Sequence, residues 1–142
     1  MDIIEWTVHK ANKGIRALKL TGAMPIRQRR SVLKTFQTDP GVHAILMSLK
    51  AGGEGLNLQA ADHVFIMDPW WNPAVELQAV QRAHRIGQTK AVKAIRFITD
   101  DTIEERMLQL QEKKQLVFEG TIDGSVSSLA KLDEEDLQFL FK

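Results

Sequence analysis

Arg82 and Arg85 are the side chains whose direction decides most about this sequence. A guanidinium is planar and permanently charged, and its forked donors suit carboxylate or phosphate oxygens alike. Both arginines lie in the stretch Gln78-Ala79-Val80-Gln81-Arg82-Ala83-His84-Arg85-Ile86-Gly87-Gln88. Residues three and four apart share a helix face. The spacing therefore predicts one polar stripe of Gln78, Arg82 and Arg85, with Val75, Ala79, Ala83 and Ile86 buried beside it. Pro73 suits the first turn of such a helix and Gly87 its left-handed stop. The same pattern also describes an ordinary surface helix whose terminal cations gain roughly 0.3–1 kcal/mol against the helix dipole. Spacing alone leaves both readings open.

A second cluster, Ser48-Leu49-Lys50-Ala51-Gly52-Gly53-Glu54-Gly55, follows a dense apolar run. Its glycines allow close approach of backbone N–H groups to a phosphate. It lacks the Gly-Lys-Ser/Thr ending of a P-loop, and no GxxxxGK[ST] occurs anywhere in the chain. A plain tight connection is the simpler reading of this segment. A third candidate is Asp68-Pro69-Trp70-Trp71-Asn72-Pro73, where an indole could stack on a base or fill a core. Core packing is the expectation for Trp70.

Composition narrows the classes. At 142 residues, 44% hydrophobic and 26% charged, the chain has the make-up of a globular domain with a real core. Nineteen basic residues against eighteen acidic leave a net charge of +1, so a nucleic-acid surface would have to be a local patch. With no cysteine there is no disulfide, thiolate zinc site or thiol nucleophile, and only four histidines remain as soft metal ligands. No apolar run approaches the ~20 residues of a membrane span, and the N-terminus lacks a signal-peptide layout. A soluble intracellular protein is expected, with no membrane partner.

Around these candidates the periodicity predicts an amphipathic helix over 1–12, a strand at Ala17–Leu20, and a helix over 25–38 that stops before Asp39-Pro40. Apolar runs at His43–Leu49 and His63–Met67 read as strands buried on both faces. Val92–Ile98 reads as a fourth strand. Thr102 opens a long helix to about Phe118 with a capping box over Thr102-Ile103-Glu104-Glu105. Residues 119–131 read as a loop, and Leu132–Phe141 as a short helix capped by Asp133. Alternating helices and strands imply an α/β fold with a parallel sheet, and ligands then belong at the C-terminal ends of its strands. The chain opens on a helix where such a sheet normally begins with a strand, as expected if a first strand is missing.

The order of the three segments resembles the C-terminal RecA-like helicase lobe of the SWI/SNF-like superfamily-two DNA translocases. Leu20-Thr21-Gly22-Ala23-Met24 with Arg29 is similar to that family's Leu-Asp-Gly-Ser stretch and following arginine, with Thr21 in place of the Asp. Met47–Leu58 resembles the fifth helicase motif and Gln78–Gln88 the sixth. The C-terminal stretch is most similar to excision-repair and post-replication-repair members. The resemblance implies a three-layer RecA-like lobe over 1–100, a brace helix over 101–118, and a loop with a short helix over 119–142. It implies that Arg82 and Arg85 act as arginine fingers on ATP, with Gln78, Gly53, Glu54 and Gly55 near the nucleotide. It also implies that Ser48, Lys50, Gly52, Trp71 and Arg29 contact DNA. ATP and Mg²⁺ would be bound mainly by a first lobe outside this chain, so the chain alone should be inactive. The expected partners are double-stranded DNA, that first lobe, and nucleosomes or repair factors, in a nuclear setting. Two alternatives stand beside it: a catalytically inert DNA- or protein-binding module derived from such a lobe, and an RNA-directed relative.

Overall fold

Helix α1 (Asp2–Lys10) keeps only part of its expected apolar face. Ile4 and Val8 are half-buried, while Ile3 and Trp6 are exposed and Lys10 Nζ lies 4.5 Å from the Trp6 ring centre. Strand β1 (Ala17–Leu20) follows, tied to α1 because Lys19 pairs with both Asp2 and Glu5. Helix α2 (Ile26–Thr38) ends where the residue before Pro40 must leave the helical region, and Asp39 is extended at φ −97° and ψ 106°. These elements belong to a computed structural model that describes residues 1–11, 14–52, 55–120 and 133–141.

The chain divides into two compact units. The first comprises Met1–Asp62 and Gln81–Val92. In it, strand β2 (Ala44–Met47) pairs parallel to β1 in the register Ala17↔Ala44 to Leu20↔Met47. Parallel neighbours need a long crossover, and α2 supplies it. Arg16 and Asp39 close the lower end at 2.8 Å, and the His43 N–H donates to Arg16 O at 2.9 Å. The short helix α3 (Leu49–Gly52) follows β2. Leu20, Val42, Ala51, Leu58 and Ala83 are the buried apolar residues of this unit.

The second unit comprises His63–Val80 and Lys93–Lys142. Strand β3 (His63–Ile66) pairs parallel to β4 (Lys93–Arg96), His63 opposite Lys93 and Ile66 opposite Arg96. Helix α4 (Pro73–Ala83) lies between them in sequence and crosses from the second unit into the first at its last turn. The strand expected to be buried on both faces is not. His63 and Phe65 are exposed, Val64 is half-buried and Ile66 buried, so β3 alternates as a one-sided strand does. His63, Phe65 and Phe97 form an aromatic row with ring centres 6.2 and 6.1 Å apart. All four residues of β4 are exposed.

Helix α5 (Ile103–Gly120) starts directly after Thr102, the residue expected to cap it. Thr102 Oγ1 accepts the Glu104 N–H at 3.2 Å, as predicted for the hydroxyl. The reciprocal carboxylate is Glu104 rather than Glu105, and it takes the Thr99 N–H at 2.7 Å. Asp101, at φ 59°, turns the chain sharply enough to bring Thr99 within that reach. Helix α6 (Glu134–Phe141) starts with Asp133 Oδ1 accepting the Asp136 N–H at 2.8 Å, the cap expected from sequence. It docks on α5 through Leu110 and Leu140, both buried, and through Lys114 and Asp136 at 2.6 Å. The loop expected over 119–131 falls almost wholly outside the described residues.

Candidate functional site

Helix α4 is set at its start by Asn72, whose Oδ1 accepts the Ala74 N–H at 2.9 Å, with Pro73 in the first helical position. One turn on, Glu76 is buried at 2% exposure and fully engaged. Its Oε1 accepts the Trp70 N–H at 2.6 Å and Gln111 Nε2 at 2.9 Å. Its Oε2 accepts Nε and Nη2 of Arg96 at 2.9 and 2.6 Å. Gln111 also donates to the Trp70 carbonyl. The Trp-Trp-Asn-Pro loop is thus pinned by one carboxylate and one amide at both polar groups of a single peptide residue.

Beyond Glu76 the helix exposes Gln78 and half-buries Arg82, four residues apart on one face. The predicted stripe does not continue to Arg85, because α4 ends at Ala83. Helix growth is cut off by competition for its last carbonyls. Arg82 O accepts the Leu58 N–H at 3.1 Å, and Ala83 O accepts the Arg85 N–H at 3.2 Å. Arg85 therefore sits in a turn after the helix, and the predicted αL glycine closes that turn, Gly87 at φ 96°. Ala83 is buried as expected, whereas Ile86, expected beside it, is fully exposed. The Arg85 guanidinium is exposed and makes no hydrogen bond or ion pair among the described residues.

The Ser48 segment is also more ordered than a plain loop. Ser48 Oγ accepts the Ala51 N–H at 3.3 Å and opens α3, on which Lys50 is exposed. Gly52 ends α3, and Gly55 is exposed in the left-handed region at φ 62°. Gly53 and Glu54 lie outside the described residues. Arg29 is half-buried and knits the Thr21–Met24 turn, its Nε on Met24 O at 3.1 Å and its Nη2 on Gly22 O at 2.6 Å. Those two donors hold backbone instead of reaching outward. Trp70, expected in the core, is 39% exposed, and the half-buried one is Trp71. Their ring centres are 6.3 Å apart, and Lys114 Nζ lies 5.9 Å from the Trp71 ring centre.

Electrostatics distinguish one buried group. Burial pushes the Asp136 carboxyl up, but the Lys114 hydrogen bond, the Asp133 backbone N–H and the Lys114 and Lys113 charges outweigh it and hold the group below the usual carboxylate range. At the surface, the Lys19 hydrogen bond and charge lower Asp2, while Asp2 and Glu5 raise Lys19.

Sequence reasoning missed Glu76 and the two glutamines Gln59 and Gln88. Glu76 had a usable signal: it lies four residues from Asn72 and seven before Ala83, on the buried side of α4, and a carboxylate there needs partners. Gln59 and Gln88 had none, because an amide in a loop carries no periodicity.

Residues 1–87 match the family described as helicase conserved C-terminal domain. The chain is 51% identical over 141 residues to DNA repair protein RAD5A of Arabidopsis thaliana, covering 99% of this chain and 13% of that protein. It is 43% identical to DNA repair protein RAD5 of Saccharomyces cerevisiae, covering all of this chain and 12% of that one. The crystal structure of the C-terminal part of the Fun30 ATPase domain superposes with TM-score 0.78 at 31% identity, over 98% of this chain and 42% of the other. The Sulfolobus solfataricus SWI2/SNF2 ATPase core domain superposes with TM-score 0.66 at 31% identity, over 97% and 28%.

The chain belongs to the helicase conserved C-terminal domain family, with the α/β fold of a RecA-like lobe. Within it, the chain is a C-terminal lobe of the SWI2/SNF2 type, of the kind found in ATP-dependent helicases of DNA repair. It spans about an eighth of the length of the RAD5-type relatives it matches.

Proposed function

We propose that this lobe supplies the arginine half of an ATPase site and part of the track for duplex DNA in an ATP-driven translocase acting in DNA repair or chromatin remodelling. The observation that carries the reading is Arg85: an exposed guanidinium, unengaged among the described residues, displayed on a turn that the protein takes pains to build. An uncompensated fork of donors fits the phosphate end of ATP, where it would stabilise charge spread over a transferring phosphoryl group. Arg82, half-buried on α4, and Gln78, exposed on the same helix, are assigned to the nucleotide with it by the resemblance. ATP supplies the scissile phosphoanhydride bond when bound. The resemblance assigns Mg²⁺ and the water-activating carboxylates to a first lobe, where the cation would neutralise charge on the phosphates.

On the DNA side, Ser48 and Lys50 are exposed at the start of the short helix that ends at Gly52. A cation and small residues there suit a phosphate backbone, which is bound by charge and close approach and not by sequence. Trp71 offers an aromatic surface. Closure of the two lobes around ATP would carry the arginines and the track residues toward the first lobe, and reopening would withdraw them. A nuclear setting follows for such an activity.

The test is turnover with and without the missing half. The 142-residue chain alone should show no DNA-stimulated ATP hydrolysis, and supplying a first RecA-like lobe should produce it. Hydrolysis by the chain alone would overturn the reading. Preference for duplex RNA over duplex DNA in competition would transfer it to an RNA-directed activity.

A further inference from the structure

The turn that carries Arg85 is held by two glutamines to which no role has been given. Both belong to the first unit, one on the segment leaving the Ser48–Gly55 stretch and one just after the turn. Gln88 Nε2 faces three carbonyl oxygens, those of Gln59, Ala61 and Ala83, at 2.9, 3.1 and 3.3 Å. Its Oε1 accepts the Lys90 N–H at 3.0 Å, so the amide orientation is fixed on both sides. Gln59 returns the contact, with Nε2 donating to Ile86 O at 2.8 Å. Two backbone bonds complete the clasp, Leu58 N–H to Arg82 O at 3.1 Å and Gln88 N–H to Arg85 O at 2.9 Å. Arg82 O, Ile86 O and the Gln88 amide are thus fixed to residues 58–61, which begin three residues beyond Gly55.

The geometry points to Gln59 and Gln88 as positioning residues that tie the placement of Arg85 to the Leu58–Ala61 segment. This rests on the arginine-finger reading above. A guanidinium that must meet a phosphoryl group on another lobe gains nothing from its charge unless its backbone is fixed, and a shift of about 1 Å can cost ~10²-fold in rate. The turn has no apolar anchor of its own, since Ile86 is fully exposed. Its placement comes from these polar bonds.

The variants are Gln88→Met, which keeps length and removes the amide's contacts to the three carbonyls and to the Lys90 N–H, and Gln59→Met, which removes the bond to Ile86 O. In the lobe joined to a first RecA-like lobe, Gln88→Met should lower DNA-stimulated kcat by roughly ten- to hundredfold with little change in the KM for ATP. In an Arg85→Ala background it should cost nothing further, since it acts through Arg85. In the 142-residue chain by itself, hydrogen exchange should show the Leu58 and Gln88 amides losing at least about tenfold protection while those of β1 and β2 keep theirs. Wild-type turnover by both glutamine variants, with Arg85→Ala inactive, would overturn the inference and leave the finger reading standing. A full additive loss in the Arg85→Ala background would also overturn it. Undiminished turnover by Arg85→Ala alone would remove the reading on which it rests.

Discussion

Replacing Glu76 by Gln should destabilise the second unit by about 3 kcal/mol. Glu76 is 2% exposed and accepts four hydrogen bonds, two on each oxygen. An amide keeps the shape but turns one oxygen into a donor. That donor then faces either the Arg96 guanidinium or the Trp70 and Gln111 N–H groups. Removing one partner of a buried pair costs about 3–5 kcal/mol, because the other partner stays buried. Arg96 is 37% exposed and can turn partly to water, which places the cost at the lower end. For a chain of 142 residues with unfolding entropy near ~0.3 kcal/mol/K, the midpoint would fall by roughly 10 °C. The assay is thermal unfolding followed by indole fluorescence in a Trp6→Phe background, so that the signal comes from Trp70 and Trp71 in the same unit as Glu76. Leu77→Ala, at an exposed neighbouring position, should stay within about 0.5 kcal/mol. A Glu76→Gln midpoint within 2–3 °C of its parent, roughly 1 kcal/mol, would refute the reasoning.

Gly87→Ala should cost about 1–2 kcal/mol through its positive φ and not through a clash, since an added Cβ meets Gln59 Nε2 only at 3.5 Å. Chemical unfolding would check this, and a neutral substitution would show that the turn can relax. The Lys114–Asp136 pair predicts a pH effect of definite sign. The folded Asp136 carboxyl lies below its ordinary value of 3.8, so its contribution to docking α6 on α5 is complete above that value. It is lost as pH falls through the lowered folded value. Acid titration of Trp71 fluorescence should show this, and Asp136→Asn should remove that part of the pH dependence; an unchanged profile in the variant would contradict the assignment. Lys50→Glu should weaken duplex binding and reduce its salt dependence, because a phosphate contact is lost and a repulsion added. Equal affinity of variant and wild type across a salt series would take Lys50 off the track.

Much of this organisation is legible in the chain because it follows local rules. The stop of α2 before Pro40, the Pro73 start of α4, the Asp133 cap and the left-handed Gly87 each depend on one or two residues. The errors arose where distant groups compete with local pattern. Helical spacing carried α4 through Ile86, but Leu58 N–H, twenty-four residues earlier in the chain, takes the carbonyl of Arg82. Burial on both faces was expected of β3, whose apolar run cannot say how many neighbours it has. Residue type alone puts Trp70 in the core, whereas it is exposed, its peptide held by Glu76 and Gln111. The arginines themselves were identifiable by type, while what positions them was not.

Arg85 is where the account is most exposed to test. The direct measurement is the DNA-stimulated ATPase rate of the lobe joined to a first RecA-like lobe, comparing wild type with Arg85→Ala. A fall of about 10³-fold in kcat with duplex affinity unchanged is predicted. Turnover undiminished by the substitution would contradict the claim that this turn delivers an arginine to the reacting phosphate.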